Sequence, residues 1–375
     1  RPYQVISLYQ KYKQLNYKET LFFIAKCLTI SLEEKNRDEI EIILKTTEVD
    51  WDAVVKVSTS HYVFPALYCN LKRVNFLIYV PEDLVGYMAH ITELNRERNL
   101  QIIKQANKIN KLLLANNITP VFLKGTGNLL GGLYDDIAER MVGDIDFIVN
   151  KNHTSSTKII LSDSGYKTNR IMPPSHRHES TLINENYIAA VEVHKELLIE
   201  EYSKEFHYDL IYKETQEING VMFLSFDHQL ALSIAAHQIN DFGYKYKNIA
   251  LRNAYDVFLL SKKTNAKEAL NTLDKLSHPL NCFLAACYEV FNEPASLEYN
   301  KTSKTESYII AFKNQFINAK KTKRLHNRIR IYLFVKSRLN IVYKALFQKE
   351  YSIWLFKRLT DKNWYKEKLI QLGVK

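Results

Sequence analysis

Apolar and polar positions follow two different periods along the chain of 375 residues. In the first and last parts apolar residues recur at helical spacing, whereas the middle part alternates short strand-like runs with helical ones. Such alternation is typical of a mixed α/β sheet, and the helical flanks make the expected fold class α+β. The pattern predicts a helical N-terminal region (1–116), a core (117–226) and a helical C-terminal region (227–375).

The predicted core is built from short elements that change type at turn residues. It contains strands at 118–123, 144–149, 166–170, 180–183 and 187–194, helices at 126–135 and 155–163, and an edge strand between 220 and 226. Asn184, Glu185 and Asn186 separate two of these strands and predict a hairpin.

Long helices are predicted on both sides of this core. Within the helical stretch at 82–116, the segment from Glu93 to Asn107 carries Glu, Arg and Lys on one side and Leu94, Leu100 and Ile103 on the other. After the core, helices are predicted at 228–240 and 249–262.

Two aspartates open the strand predicted at 144–149. Asp144 and Asp146 alternate with Ile145 and Phe147, so both carboxylates share one face while the apolar residues point into the core. Two residues of a strand span roughly 6.6 Å, which lets both carboxylates converge on one or two divalent ions. Acids at the tip of a strand with a buried back face are costly unless cations neutralise them. The pair therefore predicts a metal site.

A third carboxylate lies on the last strand before the second helical region. Glu192 sits between Val191 and Val193 and points to the opposite face from both. The predicted hairpin can bring Glu192 alongside the strand of Asp144 and Asp146, which would complete a site of three carboxylates.

Three motifs occur in a recognisable order: Leu123-Lys124-Gly125, then Arg140 followed by Asp144-Ile145-Asp146, then Glu192-Val193-His194. This order resembles the nucleotidyltransferase superfamily typified by DNA polymerase beta and the kanamycin nucleotidyltransferases. It is most similar to a bacterial family of uncharacterised nucleotidyltransferases with L-K-G, R-x-x-x-D-I-D and E-x-H motifs. The helical flanks fit as well, so the resemblance covers residues 1 to about 260 and implies a polymerase-beta-like core.

The resemblance implies transfer of an NMP group from an NTP, with ATP preferred, to a hydroxyl acceptor that is expected to be a small molecule. Pyrophosphate would be released. Two Mg²⁺ ions about 3.5–4 Å apart, replaceable by Mn²⁺, would be held by Asp144, Asp146 and Glu192. Both aspartates would bridge the ions, whereas Glu192 would ligate only the ion beside the nucleophile and help to remove the acceptor proton.

Four residues are predicted to bind the nucleotide: Lys124, Gly125, Thr126 and Arg140. Gly125 has no Cβ, so backbone N–H groups can approach a phosphate there. For Lys124, contact with the β- or γ-phosphate is preferred over pairing with the aspartates. Thr126 could contact the nucleotide or cap the following helix, and Arg140 could hold the triphosphate or fix its own loop.

Four more residues are candidates for contacting the acceptor or supporting the site: His194, His237, Arg252 and Asp256. His194 shares a face with Glu192 and is expected to orient it, or the acceptor, rather than ligate Mg²⁺. His237 and Asp256 lie on the two predicted helices after the core. For both, a structural hydrogen bond and a place in the nucleotide pocket remain open alternatives.

The remaining histidines and the cysteines provide no zinc framework. His176, Arg177 and His178 follow two prolines in a predicted loop, interpreted as a basic acceptor-contact loop or a solvated turn. The four cysteines show no C-x-x-C spacing and are expected to be buried thiols in a reducing compartment: Cys27, Cys69, Cys282 and Cys287.

Hydrophobic residues make up 46% of the chain, which favours a folded protein, and no apolar run reaches the roughly 18 residues of a membrane span. A cytoplasmic location and no obligate protein partner are therefore expected.

The net charge of +11 is concentrated at the C-terminal end of the chain, where residues 301–375 contain 19 Lys/Arg and 4 Asp/Glu. In the tail at 320–375, basic residues alternate with aromatic ones that include Trp354, Phe356 and Trp364. An RNA-binding face, a face on anionic lipid and a helical bundle with a solvated lysine side all remain open. Two alternative functions are a toxin-like transferase acting on tRNA and a catalytically silent nucleotide-binding module.

Overall fold

The computed structural model describes residues 16–271, 273–361 and 365. Seven strands form one sheet: β1 Val121–Phe122, β2 Asp144–Ile148, β3 Lys167–Arg170, β4 Thr181–Ile183, β5 Ala190–His194, β6 Gln216–Ile218 and β7 Val221–Phe223. The α-helices are α1 Tyr17–Cys27, α2 Glu34–Thr46, α3 Trp51–Ser60, α4 Phe64–Arg73, α5 Glu82–Leu114, α6 Lys124–Leu130, α7 Thr154–Asp163, α8 Tyr208–Tyr212, α9 Phe226–Ala235, α10 Gly243–Tyr246, α11 Leu251–Ser261, α12 Ala266–Ala269, α13 Ser277–Val290, α14 Ser303–Asn314, α15 Ala319–Phe347 and α16 Lys349–Leu359. The α+β class with helical flanks is confirmed.

The sheet is mixed and has the order β3-β4-β5-β2-β1-β7-β6. Strands β2 and β5 are parallel, as are β1 and β7, and the other neighbouring pairs are antiparallel. The predicted hairpin is confirmed, since Leu182 of β4 lies opposite Val191 of β5. Because β5 also pairs with β2, the hairpin brings the third carboxylate beside the two aspartates.

One strand was assigned to the wrong place in the sheet. The stretch at 220–226 was predicted to be an edge strand, but β7 pairs with β1 on one side and β6 on the other. The edge is β6, whose sequence Gln-Glu-Ile carries no alternating apolar pattern. The predicted strand at 118–123 is also reduced to the two residues of β1.

The long helix α5 does not bury the side on which Leu94 and Leu100 lie. Leu94 and Leu100 are 49% and 53% exposed, whereas Asn95, Asn99 and Asn110 on the other side are buried. The physical reason is that this side of α5 packs against loop backbone, which presents carbonyl oxygens that need hydrogen-bond donors. Amide side chains supply these donors and leucine cannot.

Four amide side chains of α5 form what we call the amide row: Asn95, Asn99, Gln105 and Asn110. Each donates to a backbone carbonyl of the core, at Ala138 (2.7 Å), Arg140 (2.7 Å), Ala189 (2.9 Å) and Gly220 (2.8 Å) respectively. The amide row therefore ties the loop before β2, the start of β5 and the turn before β7 to one helix.

The two helical regions pack against each other as well as against the core. Asn36 of α2 donates to the carbonyl of Phe291 at 2.8 Å, and Asn70 of α4 donates to the hydroxyl of Tyr255 at 3.1 Å. All four cysteines are free and buried, as expected. Within the described ranges, no helix is long and apolar enough to cross a membrane. Trp364 of the tail lies outside the described residues.

Candidate active site

Asp146 of β2 and Glu192 of β5 lie opposite each other in the parallel register of the two strands. Apolar residues on the other side of β2 hold the strand in the core, since Ile145, Phe147 and Val149 are completely buried. Asp146 and Glu192 open into a cavity of about 260 Å³. Its wall also includes Lys124, Gly125, Arg140, Met141, Val142, Gly143, Asp144, Arg177, Ser233, Ala236, Asn240, Asp241, Arg252, Asn253 and Asp256.

Asp146 is the most deeply buried of the three predicted metal ligands. Its Oδ1 accepts from Nζ of Lys124 at 2.6 Å and lies 2.7 Å from Nε2 of His194. Burial alone would raise the pKa of Asp146, but the charge of Lys124 and the contact with His194 hold it well below the usual range. Asp146 is therefore ionised at neutral pH.

The pKa values of the other two predicted metal ligands, Asp144 and Glu192, shift in the opposite direction. Burial, together with the charge of Asp146, raises the pKa of Asp144. The same two causes raise the pKa of Glu192 to about 7. These three acids thus share a small volume, and within the described ranges only Asp146 has a cationic side chain bonded to it. A bound cation would stabilise this arrangement.

His194 supports the same conclusion. Both of its ring nitrogens face acceptors, since Nδ1 lies 3.2 Å from the carbonyl of Glu196 and Nε2 lies 2.7 Å from Oδ1 of Asp146. Burial lowers the pKa of His194 to about 4, so the ring is neutral and has one proton for these two acceptors. Ligand atoms of Asp146, Glu192 and His194 all lie within 4.8 Å of one another. Two oxygen donors and one imidazole nitrogen fit a divalent cation, and Mn²⁺ accepts nitrogen more readily than Mg²⁺ does.

His178 lies at the site, in the loop that the sequence left open between an acceptor contact and a solvated turn. Its side chain is 3% exposed, so the interpretation of its loop as a solvated turn is wrong at this position. Nδ1 donates to the carbonyl of Glu179 at 2.7 Å, and Nε2 lies 3.3 Å from Oε2 of Glu192. Burial, reinforced by His176, lowers the pKa of His178 to about 3, so Nε2 faces Glu192 as a proton acceptor. An isolated backbone bridge between His178 and His194 places the loop here, and no local pattern encodes it.

The turn after β1 brings the predicted glycine motif to the cavity. Lys124 adopts a left-handed φ of 50°, which is unfavourable for a residue with a side chain. From this turn its side chain forms the ion pair with Asp146 of β2. A Cβ on Gly125 would lie 3.1 Å from Cγ2 of Val142, so the glycine permits close approach of this loop. Thr126 donates to the carbonyl of Asp144 at 2.9 Å and so fastens α6 to β2.

Residues 47–291 match the family described as uncharacterised nucleotidyltransferase. The chain belongs to this family. No curated protein matches the sequence. A crystal structure of a nucleotidyltransferase candidate from H. pylori is 16% identical, covers 62% of this chain and 96% of its own, and superposes with a TM-score of 0.30. The match over residues 47–291 confirms the family that the three motifs indicate.

In this nucleotidyltransferase, Arg140 is held by a carboxylate from a distant helix. Nη2 of Arg140 lies 2.9 Å from Oδ2 of Asp256 in α11, and the hydroxyl of Tyr134 donates to the same carboxylate at 2.7 Å. Both charged side chains are buried. Arg140 thus fixes the loop before β2, and its assignment to the triphosphate stays a prediction.

Two guanidinium groups of the nucleotidyltransferase cavity lack a carboxylate partner within the described ranges. Arg177 comes from the loop before β4, and its Nη1 is buried without a hydrogen-bond partner. Arg252 lies over the ring of Tyr62 at 5.0 Å. Burial and the repulsion of Arg140 lower the pKa of Arg252, so an anion in the cavity would stabilise its charged form.

His237 lies away from these groups. It is buried in the π-helical turn that follows α9, and its Nε2 donates to the carbonyl of Asn248 at 3.2 Å. Among the described residues that line the cavity, His237 is absent. The geometry favours the structural alternative for this histidine.

Proposed function

We propose that the protein transfers an NMP group from ATP to a hydroxyl group of a small molecule and releases pyrophosphate. The single observation that carries the proposal is the register of β2 and β5, which sets Asp146 opposite Glu192 at a cavity that Asp144 also lines. Family membership supports nucleotidyl transfer, while the acceptor, the choice of ATP and the dependence on metal belong to the proposal.

Asp144, Asp146 and Glu192 would hold two Mg²⁺ ions, for which Mn²⁺ could substitute. The ions would supply positive charge to the triphosphate and to the attacking oxygen. His194 lies close enough to contribute a nitrogen ligand or to orient Asp146. Because burial raises the free energy of unpaired carboxylates, the same acids that are costly without a cation become favourable ligands.

The reaction joins the acceptor oxygen to the α-phosphorus and breaks the bond from that phosphorus to the oxygen bridging to the β-phosphate. The electron pair of the broken bond leaves with pyrophosphate. The proton of the acceptor hydroxyl goes to a base, and we assign this role to Glu192. A carboxyl with a pKa of about 7 suits proton transfer near neutral pH, and His178 provides an adjoining proton acceptor.

We assign the triphosphate to the side of the cavity that carries Arg177 and Arg252. These guanidinium groups have no carboxylate partner within the described ranges, and an arginine binds phosphate oxygens in a bidentate manner. Gly125 and Lys124 lie at the same cavity and are proposed to contact the phosphates once Asp146 is neutralised by metal. Thr126 and Arg140 would then hold the loops that shape this side.

A groove beside the cavity is available for the acceptor. A groove of about 720 Å³ adjoins the cavity, because Arg177 and Asn240 line both. Phe242, Leu333 and Ile341 contribute apolar surface to it. We propose that the acceptor lies in this groove with its hydroxyl directed at the carboxylates.

The test is to incubate the protein with each NTP labelled at the α-phosphate, with Mg²⁺ and with fractionated cell extract. We expect label from ATP to appear in a small-molecule fraction, with one pyrophosphate formed per transfer. Asp144→Asn serves as the matched inactive control. Transfer of label from the γ-phosphate instead, or NTP binding without transfer in every fraction, would contradict the proposal.

A further inference from the structure

Helix α15 exposes an apolar face along its whole second half. Five aliphatic side chains recur at spacings of three and four residues and are 45–73% exposed: Ile331, Val335, Leu339, Val342 and Leu346. We call these five the apolar face. Residues at this spacing lie on one side of an α-helix, so the face is continuous. Monomeric soluble proteins rarely leave such a contiguous apolar surface without a binding role.

The opposite side of α15 is the one that holds the helix on the protein. Ile341 is buried, His326 lies 3.0 Å from the carbonyl of Tyr246, and Lys344 pairs with Glu200. Helix α16 is fastened by Tyr351, whose hydroxyl accepts from the backbone N–H of Ser175 at 3.1 Å. The apolar face therefore points away from the protein body.

The charge of α15 restricts what can cover this face. The helix contains nine Lys/Arg and no acidic residue. Lys336 and Lys344 pair with Glu201 and Glu200, but the other seven form no ion pair within the described ranges. Three of them, Lys321, Arg324 and Arg328, lie at the end of the helix that precedes the apolar face. A partner must offer both an apolar medium and negative charge.

We propose that α15 docks this nucleotidyltransferase on an anionic membrane surface, with the apolar face inserted among the acyl chains and the basic residues among the headgroups. Amphipathic helices that combine large aliphatic residues with Lys/Arg lie in the interface in this way. RNA would be bound by the basic residues but would gain nothing from Leu339 or Val342, since aliphatic side chains neither stack on bases nor donate hydrogen bonds. A second copy of the chain would bring two strongly basic helices together.

The experiment measures sedimentation of the full chain with phosphatidylglycerol vesicles and with phosphatidylcholine vesicles. The first variant replaces the centre of the apolar face: Val335→Glu, Leu339→Glu and Val342→Glu together. A matched control places the same change at three exposed isoleucines elsewhere: Ile42→Glu, Ile78→Glu and Ile159→Glu, which are 61%, 79% and 60% exposed. Circular dichroism melting of both variants checks that the fold is retained.

We expect the intact protein to bind anionic vesicles, the control variant to bind equally well, and the face variant to bind roughly a hundredfold more weakly. A second variant, Lys321→Gln, Arg324→Gln and Arg328→Gln, should lose about a hundredfold in affinity for anionic vesicles and show a smaller salt dependence, because three of the seven unpaired basic residues are removed.

Four results would overturn the proposal. They are no sedimentation with anionic vesicles, equal binding by the folded face variant, a dimer that the face variant dissociates while no vesicle binding occurs, and salt-sensitive tRNA binding without vesicle binding. Each is measured on the same protein, by sedimentation, analytical ultracentrifugation and filter binding.

Discussion

Arg140 and Asp256 form a buried ion pair although 116 residues separate them in the sequence. The pair joins the loop that leads into β2 with helix α11, so the C-terminal helical region takes part in placing Asp144 and Asp146. Burial alone would lower the pKa of Arg140, but the charge of Asp256 raises it above its ordinary value, and the guanidinium stays charged.

Replacing one member of this pair should be far more damaging than replacing both. We expect Asp256→Leu to lower the free energy of unfolding by about 3–5 kcal/mol, because Arg140 would stay buried without a partner. Arg140→Met combined with Asp256→Leu should regain most of that loss. Urea denaturation midpoints of the wild-type protein, the single variant and the double variant test this prediction. A single variant that unfolds normally but binds ATP weakly would instead make Asp256 a nucleotide contact.

The two aspartates of β2 should affect stability with opposite signs when metal is absent. Asp144→Asn should raise the melting temperature, because burial and Asp146 disfavour its ionised form. Asp146→Asn should lower the free energy of unfolding by about 1–3 kcal/mol, since Lys124 would lose its carboxylate. Melting scans in EDTA test this, and both variants should fail to transfer label in Mg²⁺. Equal shifts of one sign would contradict the ion-pair assignment.

The role proposed for Glu192 can be tested separately from nucleotide binding. We expect Glu192→Gln to leave ATP affinity nearly unchanged, since Asp144 and Asp146 would still hold the ion beside the triphosphate. Turnover should fall about 10²-fold, equivalent to roughly 3 kcal/mol of transition-state stabilisation. ATP titration and single-turnover pyrophosphate release are compared for this purpose. Affinity that falls in step with turnover would show that Glu192 holds the nucleotide.

The raised pKa of Glu192 predicts how metal binding depends on pH. Below a pH of about 7 the Glu192 carboxyl binds a proton that competes with Mg²⁺. The affinity for Mg²⁺ should therefore fall by up to about tenfold per pH unit as the pH is lowered. In the metal-free protein, stability should fall as the pH rises from about 4.5 to about 7, because the unfolded chain releases this proton more easily. Calorimetric Mg²⁺ titrations at several pH values test the first effect. Glu192→Gln should flatten the profile, and an unchanged profile would assign the titration to another group.

The carboxylates could be predicted because strand periodicity alone assigns side chains to faces. Asp144, Asp146 and Glu192 alternate with apolar residues that the structure buries, and the hairpin turn of β4 and β5 is encoded locally. The alternation and the turn are both determined by residues that are close together in the sequence.

The other parts of the site depend on contacts between distant segments. The loop of Arg177 and His178 is held by a bridge to His194 and by Tyr351 from a helix far along the chain. The amide row was missed for a related reason, since asparagine at helical spacing resembles a solvated face until the carbonyls opposite it are known.

The hydrogen bonds of the amide row also constrain the length of α5. Each residue added to an α-helix rotates the later residues of that helix by about 100° and advances them by about 1.5 Å. One residue inserted between Asn99 and Gln105 would therefore swing Gln105 and Asn110 away from the carbonyls of Ala189 and Gly220, while Asn95 and Asn99 kept theirs. Helix α5 would then still bind the loop before β2 but would no longer bind the backbone at β5 and β7. A change in the length of α5 would therefore disturb the site, whereas a substitution on its exposed side would leave these hydrogen bonds in place.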